Sequence, residues 1–230
     1  MKCRLSTSLT LASFSLLTLS CTTPMPPPSS KPLKLSLDHT KTFQLSQPWY
    51  DHLEFQFRRG EANLQWSPEA LIVHAELSDD EVYTASDADN QHMWELGDVF
   101  EVFLQIEGQE DYVELHITPA NTRFQAHKPN VPGNDASGEW KPIEHWLISP
   151  IGFSAEATTI TDGWIVSMEI PPSVLGLSEF TPGTELRVAF ARYDGAPHRE
   201  PTLSTTATHA RSETVTFHIP TDWHPILLQN

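Results

Sequence analysis

The 230-residue chain contains only two cysteines, Cys3 and Cys21, which excludes a scaffold stapled by several disulfides. It also lacks phosphate-loop, HExxH, GxSxG and CxxC motifs, so no common catalytic signature marks it as an enzyme. Basic residues are scarce, with 14 Lys and Arg against 30 Asp and Glu, and a net charge of −16 argues against a nucleic-acid partner. No internal repeat or coiled-coil heptad is present. The acidity suits a solubilised surface domain and argues against an anionic membrane as partner.

The N-terminus has the pattern of an export leader. Lys2 and Arg4 precede an uncharged run from Leu5 to Leu19, which is too short and too rich in hydroxyl residues for a transmembrane helix. Ser20 and Cys21 follow, and a small residue before Cys at the end of such a leader resembles the lipobox of bacterial lipoproteins. The resemblance implies that Cys21 is acylated and becomes the first residue of the mature chain. An ordinary secretory peptide cleaved nearby is the alternative.

The composition then divides the chain into three parts. We predict a lipoprotein signal peptide over residues 1–20, the lipidated Cys21 with a flexible tether over residues 21–40, and a single domain over residues 41–230. The tether prediction depends on the run TTPMPPPSSKPLKLS, which cannot bury an apolar surface. The expected location is the bacterial cell envelope, with the lipid as the membrane contact. Thr22 rather than Asp after the cysteine favours the outer membrane in a Gram-negative host.

Strand patterns dominate the predicted domain. Residues 70–77 (ALIVHAEL) and 112–118 (YVELHIT) alternate apolar and polar side chains, as half-buried strands do. Residues 99–105 (VFEVFLQ) form a nearly continuous apolar run, which predicts a central strand. Further strands are predicted at residues 122–127, 153–159, 163–170, 186–192 and 213–219. The only helical signal is a short turn starting at Pro171 and Pro172. The fold class is therefore all-β, an antiparallel β-sandwich of the jelly-roll or immunoglobulin-like kind.

Six segments follow one another along the predicted domain: LIVHAELSDDEV, MWELGDVFEVFLQ, DYVELHITPANTRF, GWIVSMEIPPSVLG, GTELRVAFARYDG and FHIPTDWHPILL. In this order they are similar to segments of the family 9 carbohydrate-binding modules and their relatives in the DOMON-like β-sandwich superfamily. The most recognisable is the second, with an aromatic residue, Gly-Asp and then Glu-x-Phe. The resemblance implies two packed antiparallel sheets, a sugar held by aromatic and polar side chains, and calcium in some members. The same superfamily includes haem-binding electron-transfer domains, so the fold leaves the function open.

A sugar presents apolar C–H faces and a rim of hydroxyls, so its site needs flat rings and polar groups. Trp94 and Trp140 are the predicted stacking residues, although Trp94 could equally pack in the core. Trp146, Trp164 and Trp223 are assigned to the core. Glu101, Arg192 and Asn121 are the predicted hydroxyl ligands.

Glu101 and Arg192 also raise a structural question, because each lies in an apolar strand and an unpaired buried charge is costly. We therefore predict a Glu101–Arg192 ion pair, with Asp98 as a further member. It would either present donors and acceptors to a sugar or clamp two strands together.

Two cofactors are weighed. Asp87 and Asp89 offer oxygen ligands at short spacing and are the predicted calcium ligands, with ordinary solvated turns as the alternative. Met93 with a distant histidine could ligate haem b, but Met93 lies beside the Gly-Asp motif rather than in a clear pocket strand, which disfavours haem b, and c-type haem is disfavoured because the chain has no CxxCH motif. Outward-facing His74, Glu76, Glu114 and His116 would form a metal site if their two strands pair, and the favoured alternative is a scattered polar outer face.

The predicted function is the non-catalytic binding of a glycan or oligosaccharide by a lipid-anchored envelope domain, in support of polysaccharide breakdown. One alternative is a haem-b electron-transfer domain. The other is a structural or partner-binding envelope lipoprotein that has lost its ligand site.

Overall fold

The computed structural model describes residues 31–129, 141–150, 152–207 and 215–230. In these ranges the chain forms twelve strands: β1 (Leu33–Ser36), β2 (Lys41–Gln44), β3 (Gly60–Trp66), β4 (Leu71–Ser78), β5 (Val99–Ile106), β6 (Asp111–Ile117), β7 (Arg123–Pro129), β8 (Ser154–Ile160), β9 (Gly163–Ile170), β10 (Glu185–Ala196), β11 (Arg199–Thr205) and β12 (His224–Gln229). Its helical segments are single 3₁₀ turns: Met93–Glu95, Ile143–Trp146, Pro172–Leu175 and Pro220–Asp222. No helix within the described ranges has the length and apolar character needed to cross a membrane.

The strands form two sheets that pack face to face, which confirms the predicted β-sandwich. The larger sheet has seven strands in the order β1-β12-β10-β5-β6-β7, with β11 also paired to β10. The smaller sheet has the order β2-β3-β4-β9-β8. All pairs are antiparallel except β1 with β12 at the edge of the larger sheet, which is parallel.

The main core lies between the sheets and follows from period-two alternation. On β4, Leu71, Val73, Ala75 and Leu77 point inward and are buried, whereas His74 and Glu76 are exposed. Trp164 on β9 is fully buried in the same core, as predicted.

The larger sheet also buries much of its outer face. One cluster there contains Phe103, Tyr112, Phe217 and Trp223, and a second contains Met93, Val99, Phe124 and Ala126. β5 is therefore covered on both faces, which explains its unbroken apolar run and confirms it as a central strand. The candidate site lies between these two outer clusters.

Two predicted boundaries differ from the structure. The last part of the predicted tether is strand β1, whose Leu35 is 2% exposed and pairs with Leu228 of β12. The described part of the predicted last strand, residues 215–219, is not a strand. Its Phe217 is buried because the segment lies over the outer face of the larger sheet, and apolar alternation there mimics a strand.

Candidate functional site

A cavity of about 200 Å³ opens on the outer face of the larger sheet. This volume is below the roughly 300–1,000 Å³ of pockets that hold drug-sized ligands, so it suits one small chemical unit. Its lining combines rings, charges and one aliphatic side chain: Trp94, Glu101, Glu114, Lys128, Ile143, Tyr193 and His218.

The polar floor of the cavity comes from two neighbouring strands. Glu101 on β5 stands opposite His116 on β6, and Glu114 is two residues before His116 on the same face. His116 Nε2 lies 2.9 Å from Glu114 Oε1 and 3.3 Å from Glu101 Oε1, so one ring nitrogen serves both carboxylates. All three side chains are almost fully buried. Buried carboxylates on the outer face of a sheet require such partners.

Two further nitrogens approach Glu114. Lys128 Nζ on β7 is 3.2 Å from Glu114 Oε2, and His218 Nδ1 is 3.7 Å from the same oxygen. Neither meets hydrogen-bond geometry, and Glu114 Oε2 has no hydrogen-bond partner among the described residues. This oxygen is thus a buried acceptor with spare capacity on the cavity wall.

The charges of the two carboxyl groups differ because of their surroundings. Burial raises the pKa of Glu101 to about 7, although His116 lowers it. Burial also raises the pKa of Glu114, but the attraction of the three surrounding nitrogens outweighs burial and holds that pKa below its usual range. Near neutral pH the cavity therefore holds a firmly ionised Glu114 beside a Glu101 that is close to its titration point.

Rings form the sides of the cavity. The half-buried Trp94 stacks on His92 at a centroid distance of 4.9 Å and meets His116 edge-on at 5.9 Å. Tyr193 on β10 is also half-buried and contacts Phe217 at 5.5 Å. Trp94 therefore satisfies both sequence interpretations, since it packs against the outer cluster and lines the cavity.

The Gly-Asp pair of the recognisable motif holds the chain between Trp94 and Glu101. Gly97 has a φ of 135°, and a Cβ there would lie 2.5 Å from the carbonyl oxygen of Tyr83. Asp98 accepts hydrogen bonds from the backbone N–H groups of Tyr83 and Gly195 at 2.7 and 2.9 Å. Burial raises the pKa of Asp98 to about 8, although these two hydrogen bonds lower it. The pair thus fixes the backbone that positions the two site residues.

The predicted Glu101–Arg192 ion pair is wrong. Glu101 is opposite Ala191 on β10, so the next residue, Arg192, points to the other face of the sheet. Arg192 is buried between the sheets, where Nη2 lies 2.6 Å from Asp79 Oδ2 and Nη1 donates to the carbonyl oxygen of Ser78 at 2.7 Å. It therefore clamps the larger sheet to the end of β4 in the smaller one.

Asn121 and the predicted calcium ligands are engaged elsewhere. The Asn121 amide donates to the Ala157 carbonyl oxygen at 3.0 Å and accepts from the Ala157 N–H at 2.7 Å. Asp89 accepts from the Arg123 backbone N–H at 2.7 Å, and Asp87 accepts from Gln91 Nε2 at 2.8 Å. All three side chains support turns and do not line the cavity.

Trp140 and Cys21 lie outside the described residues, so their predicted roles stay predictions. Of the predicted sugar ligands that the structure describes, Trp94 and Glu101 come together in the cavity, and Asn121 and Arg192 do not. Sequence reasoning missed four of its lining residues, Lys128, Ile143, Tyr193 and His218, and named Glu114 only as a candidate metal ligand. The outward parity of Glu114 on a strand next to Glu101 was the one available signal.

Two clusters of side chains in the described part of the chain could supply three metal ligands each: Glu101 with Glu114 and His116, and Asp79 with Asp98 and Asp194. In the second, the Arg192 guanidinium contacts Asp79 and lies 3.6 Å from Asp194. Arg199 also binds Asp194. Two guanidinium groups thus offset two of the three carboxylate charges, and the cluster does not fit a calcium ion, which needs six to eight oxygens.

The sequence also offered a metal site made of His74, Glu76, Glu114 and His116. His74 and Glu76 lie on β4 in the smaller sheet and Glu114 and His116 on β6 in the larger, so the metal site that required these strands to pair is wrong. His74 and Glu76 instead line a separate hollow of about 360 Å³ with Glu156, Thr158 and Ile165, among others, and no aromatic ring other than His74. Met93, which the sequence offered as a haem ligand, is fully buried in an apolar cluster.

Solved structures that share this fold include three carbohydrate-binding proteins. A candidate carbohydrate-binding protein from Bacteroides uniformis superposes with a TM-score of 0.67 at 14% identity, covering 86% of this chain and 100% of that one. A family 9 carbohydrate-binding module from Caldicellulosiruptor kristjanssonii in complex with cellotriose gives 0.55 at 15% identity, covering 86% and 93%. A module of that family and organism in complex with glucose gives 0.55 at 17%, covering 86% and 95%.

No family model and no curated protein matches the sequence. The three superpositions show that the described domain has the β-sandwich fold of the family 9 carbohydrate-binding modules.

Proposed function

We propose that this protein is a non-catalytic carbohydrate-binding domain and that the cavity beside Trp94 holds a sugar unit. The observation that carries the proposal is the combination, in one small cavity, of half-buried rings with a buried acceptor that has spare capacity. Trp94 and Tyr193 offer apolar surfaces to C–H groups, and Glu114 Oε2 offers an acceptor to a hydroxyl. Lys128 Nζ supplies a donor beside it.

The neighbours with this fold support the ligand class. Two of them are modules in complex with glucose and with cellotriose. We therefore propose glucose-based oligosaccharides as the first ligands to test.

The placement of the two carboxylates supports binding rather than cleavage. Glycosidases place two carboxyl groups on either side of the scissile bond, about 5–9.5 Å apart. Glu101 and Glu114 instead lie on the same face of adjacent strands and share His116 Nε2. Both would therefore contact a ligand from one side.

The proposal includes export and anchoring of the domain. The leader and Cys21 support acylation, and lipid at the N-terminus would hold the domain at the cell envelope, where it could support polysaccharide breakdown. A Cys21→Ser variant is expected to leave the membrane fraction, and membrane retention of that variant would contradict the anchor.

Isothermal titration with glucose, cellotriose and a broader glycan panel tests the binding function. We expect Trp94→Ala to weaken binding about tenfold or more, which corresponds to about 1.4 kcal/mol. His74→Ala is the matched control, because it removes a ring from the hollow on the other sheet. Absence of binding to every glycan, or loss of binding in the His74 variant alone, would contradict the proposal.

A further inference from the structure

The segment from Gln47 to Phe57 presents an unusual apolar surface to solvent. Tyr50 is 46% exposed, Leu53 is 55% exposed and Phe55 is fully exposed. These are three of the six large apolar side chains that are exposed in the described residues. Exposed apolar groups gathered in one place usually mark a contact surface.

Hydrogen bonds give this segment a defined shape. The buried Gln47 side chain donates to Glu54 Oε2 at 2.6 Å and to the Leu203 carbonyl oxygen at 2.9 Å, and it accepts from the Glu54 N–H at 2.8 Å. Tyr50 N–H donates to the Gln47 carbonyl oxygen at 3.1 Å. The exposed rings are therefore carried by a loop that is bonded to itself and to β11.

A continuous series of ring contacts joins the loop to the cavity. Tyr193, which lines the cavity, contacts Phe217 at 5.5 Å. Phe217 contacts Trp49 at 5.9 Å, and Trp49 contacts Tyr50 at 6.1 Å. Tyr50 therefore lies three ring contacts away from Tyr193 on the cavity wall.

We propose that Tyr50 and Phe55 form an extension subsite that contacts the sugar units of an oligosaccharide beyond the unit held in the cavity. This inference rests on the proposed function. The cavity admits only one small unit, so the remainder of a longer chain must lie on the neighbouring surface. Exposed rings match the C–H faces of those units.

The charge of the loop favours a glycan over a lipid surface. Residues 47–57 contain Asp51 and Glu54 and no Lys or Arg. Loops and helices that lie on anionic membranes combine apolar side chains with basic ones. Arg58, the next residue, is engaged by Asp80.

Titration with glucose and with cello-oligosaccharides of two to six units tests the proposal on the whole domain. We expect the wild type to bind the longest chains about fivefold or more tightly than glucose. Tyr50→Ala with Phe55→Ala should abolish that gain and leave glucose affinity unchanged, because neither ring lines the cavity. Ile160→Ala is the matched control, since Ile160 is 41% exposed on the smaller sheet.

The outcomes separate this inference from the proposed function. Glucose binding without any gain in affinity for longer chains overturns the subsite alone, as does a gain that persists in the double variant. No binding of any saccharide overturns the proposed function together with the subsite. A third outcome would assign the loop to a membrane instead. In that outcome the wild type binds phosphatidylglycerol vesicles, the double variant does not, and saccharide affinity does not depend on chain length.

Discussion

Arg192 offers the sharpest test of how this sandwich is held together. Its guanidinium is 1% exposed and binds Asp79 and the Ser78 carbonyl oxygen across the two sheets. Arg192→Met keeps most of the side-chain length and removes the charge and both hydrogen bonds. The substitution leaves Asp79, itself 1% exposed at its side chain, without its cation.

The expected cost follows from that burial. Removing one partner of a buried ion pair costs roughly 3–5 kcal/mol, because the remaining charge is left uncompensated. Arg187→Met on the same strand is the control. Arg187 is 24% exposed and pairs with Glu107 at 2.7 Å, so its loss should cost less than about 1 kcal/mol.

Urea unfolding followed by circular dichroism gives the free energy of unfolding for each variant. Double-mutant cycles then distinguish the two pairings. Arg192 with Asp79 should show a coupling of roughly 1.5–3 kcal/mol, whereas Arg192 with Glu101 should be additive within about 0.5 kcal/mol. Strong coupling between Arg192 and Glu101, or a cost for Arg192→Met no larger than for Arg187→Met, would refute the reasoning.

Three other predictions concern the site and the domain boundary. Gly97→Ala should destabilise the domain by about 1–3 kcal/mol, since its Cβ would meet the Tyr83 carbonyl; Gly108→Ala, with positive φ but open space, should cost less in the same urea assay. The raised pKa of Glu101 means that the folded state binds a proton that the unfolded state releases, so wild-type stability relative to Glu101→Gln should fall as the pH rises from about 4.5 to about 7. Parallel pH profiles of unfolding free energy for these two proteins would argue against that shift. Leu35→Ala should cost about 2–4 kcal/mol in thermal or urea unfolding because Leu35 is buried, and a cost as small as that of the exposed Leu53→Ala would place β1 outside the folded domain.

Much of the fold could be predicted from local patterns. Alternation located β4, β6 and β9 to within a residue or so, because one face of each strand meets the core and the other does not. The unbroken apolar run of β5 correctly indicated burial on both faces. β3 also alternates, with Ala62, Leu64 and Trp66 buried, but no strand was predicted there because its other residues are polar or glycine.

The site was predicted only where one short segment supplies it. Trp94 and Glu101 are seven residues apart, and the backbone held by Gly97 and Asp98 brings both to the cavity. Lys128, Tyr193 and His218 arrive from distant segments of the chain. No local pattern marks them, because each depends on which strands become neighbours.

The sequence by itself determined which side chains share a face within each strand, since successive residues must point to opposite sides. Only the tertiary structure decided which faces of different strands coincide. Register sets that relation, and a shift of one residue reverses it. Ala191, rather than Arg192, stands opposite Glu101, and this single step sends the carboxylate to the outer cavity and the guanidinium to the core between the sheets.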